Sequence, residues 1–173
     1  MSKKPPVSEL EFIKIAINHA EFASKLSRLS VPHLEIAEYA KHVCEAWFHL
    51  GEEHLTEAEK LKGLGCKRAL FSRAYYAAYN ASKAVRYMSK GFVSLKGDDH
   101  GKASSELPDA FPDVENWGNK ISSLYENRLR ADYDNWTGTN GEYTMTAEDA
   151  FQDADSFLSA ARSFLNSKFG MQL

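Results

Sequence analysis

Arg68–Met88 reads RALFSRAYYAAYNASKAVRYM. Laid on a helix at about 100° per residue, it divides into three stripes and has no ordinary solvent face. Leu70, Ala74, Ala77, Ala78, Ala81, Val85 and Met88 make a slim apolar stripe. Phe71, Tyr75, Tyr79 and Arg86 make an aromatic one, and Arg73, Tyr76, Asn80, Lys83 and Tyr87 a polar one. Such a helix is expected to be packed around most of its circumference. Its polar stripe must then face partner side chains, a ligand or a second copy of the chain.

Working outward, the text is helical on both sides. Val7–Leu29 carries apolar residues at near-helical spacing, with Ser8 as a candidate N-cap, and Ser30-Val31-Pro32 breaks it. A second helix is expected over about 33–62, its buried side formed by Ile36, Tyr39, Ala40, Val43, Trp47, Leu50 and Leu61. Gly63-Leu64-Gly65 stops it. The striped helix runs to Lys90 and ends at Gly91, and a fourth helix is expected over about 114–136. Thr146 and Asp149 frame the start of the last helix, which places Ala150, Phe151, Ala154, Phe157, Leu158, Ala161, Phe164 and Leu165 on one face. Between Gly91 and Asn116 the chain is rich in Gly, Pro and Asp and reads as a loop, with room for a short helix over about 102–107. Thr137–Tyr143 is a turn cluster. The predicted fold is all-α: a single up-and-down antiparallel bundle of about five helices. Residues 1–31 form an extra N-terminal helix packed on a bundle over 32–173.

With 173 residues, 43% hydrophobic and 26% charged, the composition is that of one globular domain with its own core. No apolar run is long enough for a membrane span. The segment MSKKPPVSEL has no apolar stretch behind its lysines, so a secretory signal is not expected. Cys44 and Cys66 lack paired spacing and read as reduced thiols, which points to a cytoplasmic protein. The net charge of −3 is unevenly spread: Gly63–Ser105 sums to +6 and Glu106–Leu173 to −7. That pattern excludes a general DNA coat protein. It suits a local basic patch or charge pairing within the bundle.

On the fourth helix Arg128 and Asp132 are four residues apart on the side that carries Ile121 and Tyr125, so an ion pair is available there. A guanidinium on that side needs partners, because an unpaired buried charge is costly. Two readings stand: a structural clamp in which Asp132 and a tyrosine of the striped helix hold Arg128, or a phosphate-binding arginine. His42, Glu45, His49, Glu52 and Glu53 read as a solvated helix face, since no other helix supplies a matching set of metal ligands. No metal or cofactor is expected. Trp47, Trp117 and Trp136 read as packing residues.

Arg73-Ala74-Tyr75-Tyr76-Ala77, then His100-Gly101-Lys102, then Arg128-x-x-Ala131-Asp132-Tyr133, followed by a Thr-capped Ala/Phe-rich helix, resembles the HEPN superfamily. More narrowly it is similar to the branch with R-x-Y-Y-A and R-x-x-A-D-Y motifs, over roughly 37–168. The resemblance implies a helical bundle, often a homodimer, that cleaves RNA, binds RNA or a nucleotide, or pairs with a small nucleotidyltransferase or other antitoxin in toxin–antitoxin and defence systems. The ligand site expected on this reading has Arg73, Tyr76, Asn80 and Arg128 contacting phosphate and base, Asp132 and Tyr133 orienting Arg128, and His100 and Lys102 as contacts if their loop folds over the motif helices. The ribonuclease motif of that family, Arg followed four to six residues later by His, is absent from the Arg128 helix. His100 is the last histidine of the chain. Arg28-x4-His33 has the spacing but contains Pro32 and lies outside the matched stretch, so it reads as coincidence. With no imidazole on the Arg128 helix the general base is missing there, leaving His100, Asp132 and Tyr133 as the catalytic candidates. The expected function is RNA or nucleotide binding without standard ribonuclease activity. The alternatives are a ribonuclease with a non-standard base and a ligand-free dimeric scaffold.

Overall fold

The structure, a computed structural model, describes residues 9–28, 34–94, 97–134 and 143–173. Six helices are present among the described residues: α1 (Glu9–Arg28), α2 (Leu34–Gly63), α3 (Lys67–Lys90), α4 (Asp99–Ser105), α5 (Val114–Tyr133) and α6 (Ala147–Phe169). The all-α expectation holds. The helix beyond the expected five is α4. It starts three residues earlier than the expected short helix, because Asp99 is anchored in the protein interior and Leu107 is buried beyond the helix end. His100 and Lys102 are therefore helical residues, not loop residues.

α3 lies at the centre, against α2, α4, α5 and α6. Its direction relative to α2 follows from the contacts. Cys44 Sγ donates to Ala84 O, and His54 and Glu57 meet Arg73. The ladder of numbers runs oppositely on the two helices, so the pair is antiparallel. The alanine stripe lets α2 come close: a Cβ placed on Gly51 would sit 3.0 Å from Ala77 O. α5 is antiparallel to α3 through Tyr76–Arg128 and Ser72–Asp132. α6 is antiparallel to α2 through Glu52–Arg162 and Lys62–Glu148.

The start of α6 is as the sequence predicts. Asp149 N donates to Thr146 Oγ1 at 3.1 Å and Thr146 N donates to Asp149 Oδ2 at 3.3 Å, a reciprocal cap on two otherwise unpaired donors. Its apolar face is buried throughout. On α2 the seam differs by a small rotation. Ala40, Val43, Cys44, Phe48 and Ala58 are buried, whereas Leu50 is 40% exposed. α5 ends at Tyr133; Ser8, the Ser30–Pro32 break, His33, Trp136 and most of the 137–143 turn lie outside the described residues.

α1 is broken at Asn18, whose φ of −150° and ψ of 75° are not helical. There Ile17 O accepts from Val93 N and Ala20 N donates to Gly91 O, a short bridge to the end of α3. Asn18 then caps the second half of the helix: Glu21 N donates to Asn18 Oδ1 at 3.0 Å, and Asn18 Nδ2 donates back to Glu21 Oε2 at 2.9 Å. Gly91 makes this seam possible. Its φ is +80°, and an added Cβ would lie 2.2 Å from Ala20 Cβ. Gly91→Ala is expected to destabilise the protein by at least about 1–2 kcal/mol from the left-handed backbone alone, before the clash is added. Urea unfolding should show the loss, with Thr146→Ala giving a smaller one of about 1 kcal/mol.

Candidate ligand-binding site on α3 and α5

The first turn of α3 and the last turn of α5 are joined by hydrogen bonds that fix where Arg128 points. Arg68 donates from Nε to Ala131 O at 2.7 Å and from Nη2 to Asp134 O at 2.9 Å, so its guanidinium satisfies carbonyls that the end of α5 leaves unpaired. Ser72 Oγ donates to Asp132 Oδ2 at 3.4 Å. One turn further along, Arg128 Nη2 donates to Tyr76 Oη at 2.8 Å.

The Arg128 side chain is only 11% exposed. Its guanidinium carbon lies 5.4 Å from the Tyr76 ring centre and 5.1 Å from that of Tyr133, so the cation sits against two aromatic rings. Asp132 Oδ2 is 2.8 Å from Nε. The same Nε makes no hydrogen bond, so the contact is an ion pair out of line with the N–H. Burial works against the charge, but Tyr76, Asp132 and Tyr133 outweigh it and hold the group firmly protonated. Tyr133 itself is 68% exposed.

Two imidazoles flank Tyr76. His54 lies 5.6 Å from it between ring centres and His100 6.1 Å. Arg73 Nη1 donates to His54 Nδ1 at 3.2 Å; a guanidinium has no acceptor, so the proton of the neutral imidazole is on Nε2. Arg73 Nε also pairs with Glu57 at 3.0 Å. His100 Nδ1 is hydrogen-bonded to the Tyr75 hydroxyl at 2.8 Å. The ring stacks on Tyr79 at 4.6 Å and lies nearly parallel to Tyr125. Burial first, and then the Arg128 charge, lower the His100 pKa; burial and then the Arg73 charge lower that of His54. Both rings are neutral at pH 7. Burial among the other tyrosines raises the Tyr75 hydroxyl, which stays protonated. The result is a fixed cation bordered by hydroxyls, two neutral imidazoles and aromatic faces. That set suits a phosphate next to a planar group.

A family profile described as the HEPN domain matches residues 44–169. The chain belongs to the HEPN family. No curated protein matches it at a significant level. Within this HEPN domain the matched segment contains every residue of the site, whereas α1 lies before it.

The residues expected at the ligand site divide into two groups. Tyr76, Arg128, Asp132, Tyr133 and His100 come together, with Arg73 reaching the group through His54. Asn80 is elsewhere: it is 6% exposed and its Nδ2 donates to Tyr76 O at 2.8 Å within its own helix. Lys102 pairs with Asp98 at 3.0 Å. His54 and Ser72 were not among the expected residues. A signal for His54 existed: it falls seven residues after Trp47 and four before Ala58, a histidine in the apolar seam of α2. Nothing in the local sequence singles out Ser72.

On α2, the His42–Glu45 and His49–Glu52 contacts are three-residue pairs along one helix face. Among the described residues no group of three or more His, Cys, Asp or Glu side chains is placed to hold a metal ion. Likewise no described helix is long and apolar enough to cross a membrane.

Two outcomes follow for stability. Tyr76→Phe removes the acceptor of Arg128 Nη2 and should cost about 1–3 kcal/mol in urea unfolding. Acidification should also destabilise the protein. The unfolded imidazoles take up protons near pH 6.5, whereas folded His19, His54 and His100 resist them, so stability falls as pH drops through that value. His100→Gln should flatten the decline between pH 7 and 5.

Proposed function

We propose that this HEPN domain binds RNA or a nucleotide through a phosphate held by Arg128, with Tyr76 and Asp132 orienting the guanidinium and Tyr133 offering an exposed ring to a base. The supporting observation is the state of Arg128: its charge is fixed between two rings, both of whose hydroxyls also accept from it, and Asp132 approaches Nε without a hydrogen bond. A guanidinium carries five donors in a planar fork. The donors not held by Tyr76 and Tyr133 can meet a phosphate. In this reading Arg73 is a peripheral cation, Asn80 supports the α3 backbone, and Lys102 lies outside the contact set. Residues 32–173 act as the HEPN unit and 1–31 as an addition to it. The protein works in the cytoplasm as a homodimer within a toxin–antitoxin or defence pair, opposite a small nucleotidyltransferase or other antitoxin.

Arg128→Ala should weaken binding of a short fluorescent single-stranded RNA by at least about tenfold, because a charge-assisted hydrogen bond contributes roughly 1.5–3 kcal/mol. Arg128→Lys keeps the charge and loses the fork, and should restore only part of the affinity. If Arg128→Ala lowers the melting temperature and leaves RNA and nucleotide binding as in the parent, Arg128 is a clamp and the proposal fails.

A second reading has one observation in its favour. His100 is a neutral imidazole beside the Arg128 cation, and in the tautomer whose Nδ1–H donates to the Tyr75 hydroxyl its Nε2 is an acceptor for a ligand. That is the equipment of a general base for attack of a ribose 2′-hydroxyl on the adjacent phosphate, with the 5′-oxygen as leaving group. Purified protein with RNA and a chelator decides it: chain cleavage lost in His100→Ala supports an active ribonuclease, and intact RNA removes it.

A further inference from the structure

Among the described residues a buried polar cluster lies beside the site described above and shares Tyr79 with it. Asp99 has no exposed surface and Arg86 is 2% exposed. Arg86 Nη1 and Nη2 donate to the two Asp99 oxygens at 2.9 and 3.0 Å, and Tyr79 Oη donates to Oδ2 at 2.9 Å. Arg86 Nε donates to Ser82 Oγ at 3.2 Å, and Ser82 Oγ donates to Ala103 O at 2.7 Å. One guanidinium and one serine thus tie two successive turns of α4 to α3. A paired fork would suffice for that.

The cluster contains a second cation. Lys83 has a side chain 9% exposed, with Nζ 3.6 Å from Asp99 and 3.3 Å from Tyr79 Oη. The ammonium also lies 5.2 Å from the Trp47 ring centre. Two cations around one carboxylate leave a surplus positive charge in a desolvated place, which adds cost to a buried ion pair rather than stability. The residue next to Asp99 on α4 is His100. Against that ring lie Tyr75, Tyr76 and Tyr79 of α3 and Tyr125 of α5, and the charges that act on it are Arg128 of α5, Asp99 of α4 and Lys83 of α3.

We infer that Arg86, Asp99 and Lys83 are positioning residues for His100. The Arg86 fork on Asp99 seats α4 so that the ring reaches the ligand site, and Lys83, bonded to the hydroxyl of the Tyr79 ring that stacks on His100, sets a second cation beside it. This rests on the phosphate-site reading above. The Lys83 and Arg128 charges both disfavour the imidazolium, whereas Asp99 favours it. The Asp99 carboxyl stays ionised, because the Arg86 fork, Tyr79 and Lys83 outweigh its burial. An ionised Asp99 beside His100 sets a limit on how far the ring can be held neutral. Acidification should therefore bring a second positive charge to the site and tighten the grip on a phosphate.

The test is an NMR titration of the His100 ring in the ligand-free chain, with K83M and R86K as variants. In K83M a facing positive charge is gone and the midpoint should rise. In R86K a single ammonium cannot span both Asp99 oxygens, α4 loosens, and the midpoint should move up toward the ordinary imidazole value of about 6.5. In parallel, the gain in affinity for a short oligoribonucleotide on acidification should begin at a higher pH in K83M than in the parent. A His100 midpoint equal to the parent's in both variants, with native circular dichroism, overturns the inference; if R86K does not fold, K83M decides alone. Because the titration uses no ligand, it answers for the positioning role even if the parent fails to bind RNA.

Discussion

A helix enclosed by four others must supply a partner for every polar group it takes out of water, and α3 carries an unusual number of them. Its slim alanine stripe brings α2 close, which leaves the larger side chains no route to solvent on that side. Arg86 is answered by Asp99, Tyr76 by Arg128, Tyr75 by His100, and Asn80 by its own backbone. Three of these four answers come from other helices. The positions of α4 and α5 are thus set by polar matching to α3 as much as by apolar contact.

The same requirement shapes the chemistry. Arg128 is charged and largely desolvated, and its neighbours are hydroxyls and aromatic faces rather than a row of carboxylates. The acid it pairs with, Asp132, is shared with Ser72 and meets Arg128 out of line. Arg128 thus keeps a cation in a desolvated place although the whole chain carries a net charge of −3. An anionic ligand would find a preorganised cation, and the neutral imidazoles on either side can donate or accept without repelling it.

α1 stands apart from this economy. It precedes the segment shared with the HEPN family, and its seam with α3 is made by backbone groups at Asn18 and Gly91 together with His19 on Tyr87 O at 3.1 Å. A helix interrupted so that its own backbone can bond the end of α3 also packs against α2.

What could be read from one dimension was whatever rests on spacing along a single helix. The three stripes of α3, the capped amphipathic α6, the Arg128–Asp132 pair and the Gly91 stop each involve residues within a few turns of one another, and helical geometry alone brings them together. The all-α class followed from them. The sequence could also narrow the partner of Arg128 to a tyrosine of α3 without saying which one. Tertiary packing alone chose Tyr76, drew in His54 and Ser72, set Asn80 apart from the site and carried His100 to the tyrosine cluster. These depend on the rotation of one helix against another, where a shift of one residue turns a side chain by about 100°. Asp99 shows the limit most clearly. In a stretch rich in glycine and aspartate it looks like any solvated acid, and only the burial of Arg86 thirteen residues earlier makes it the anchor of a helix.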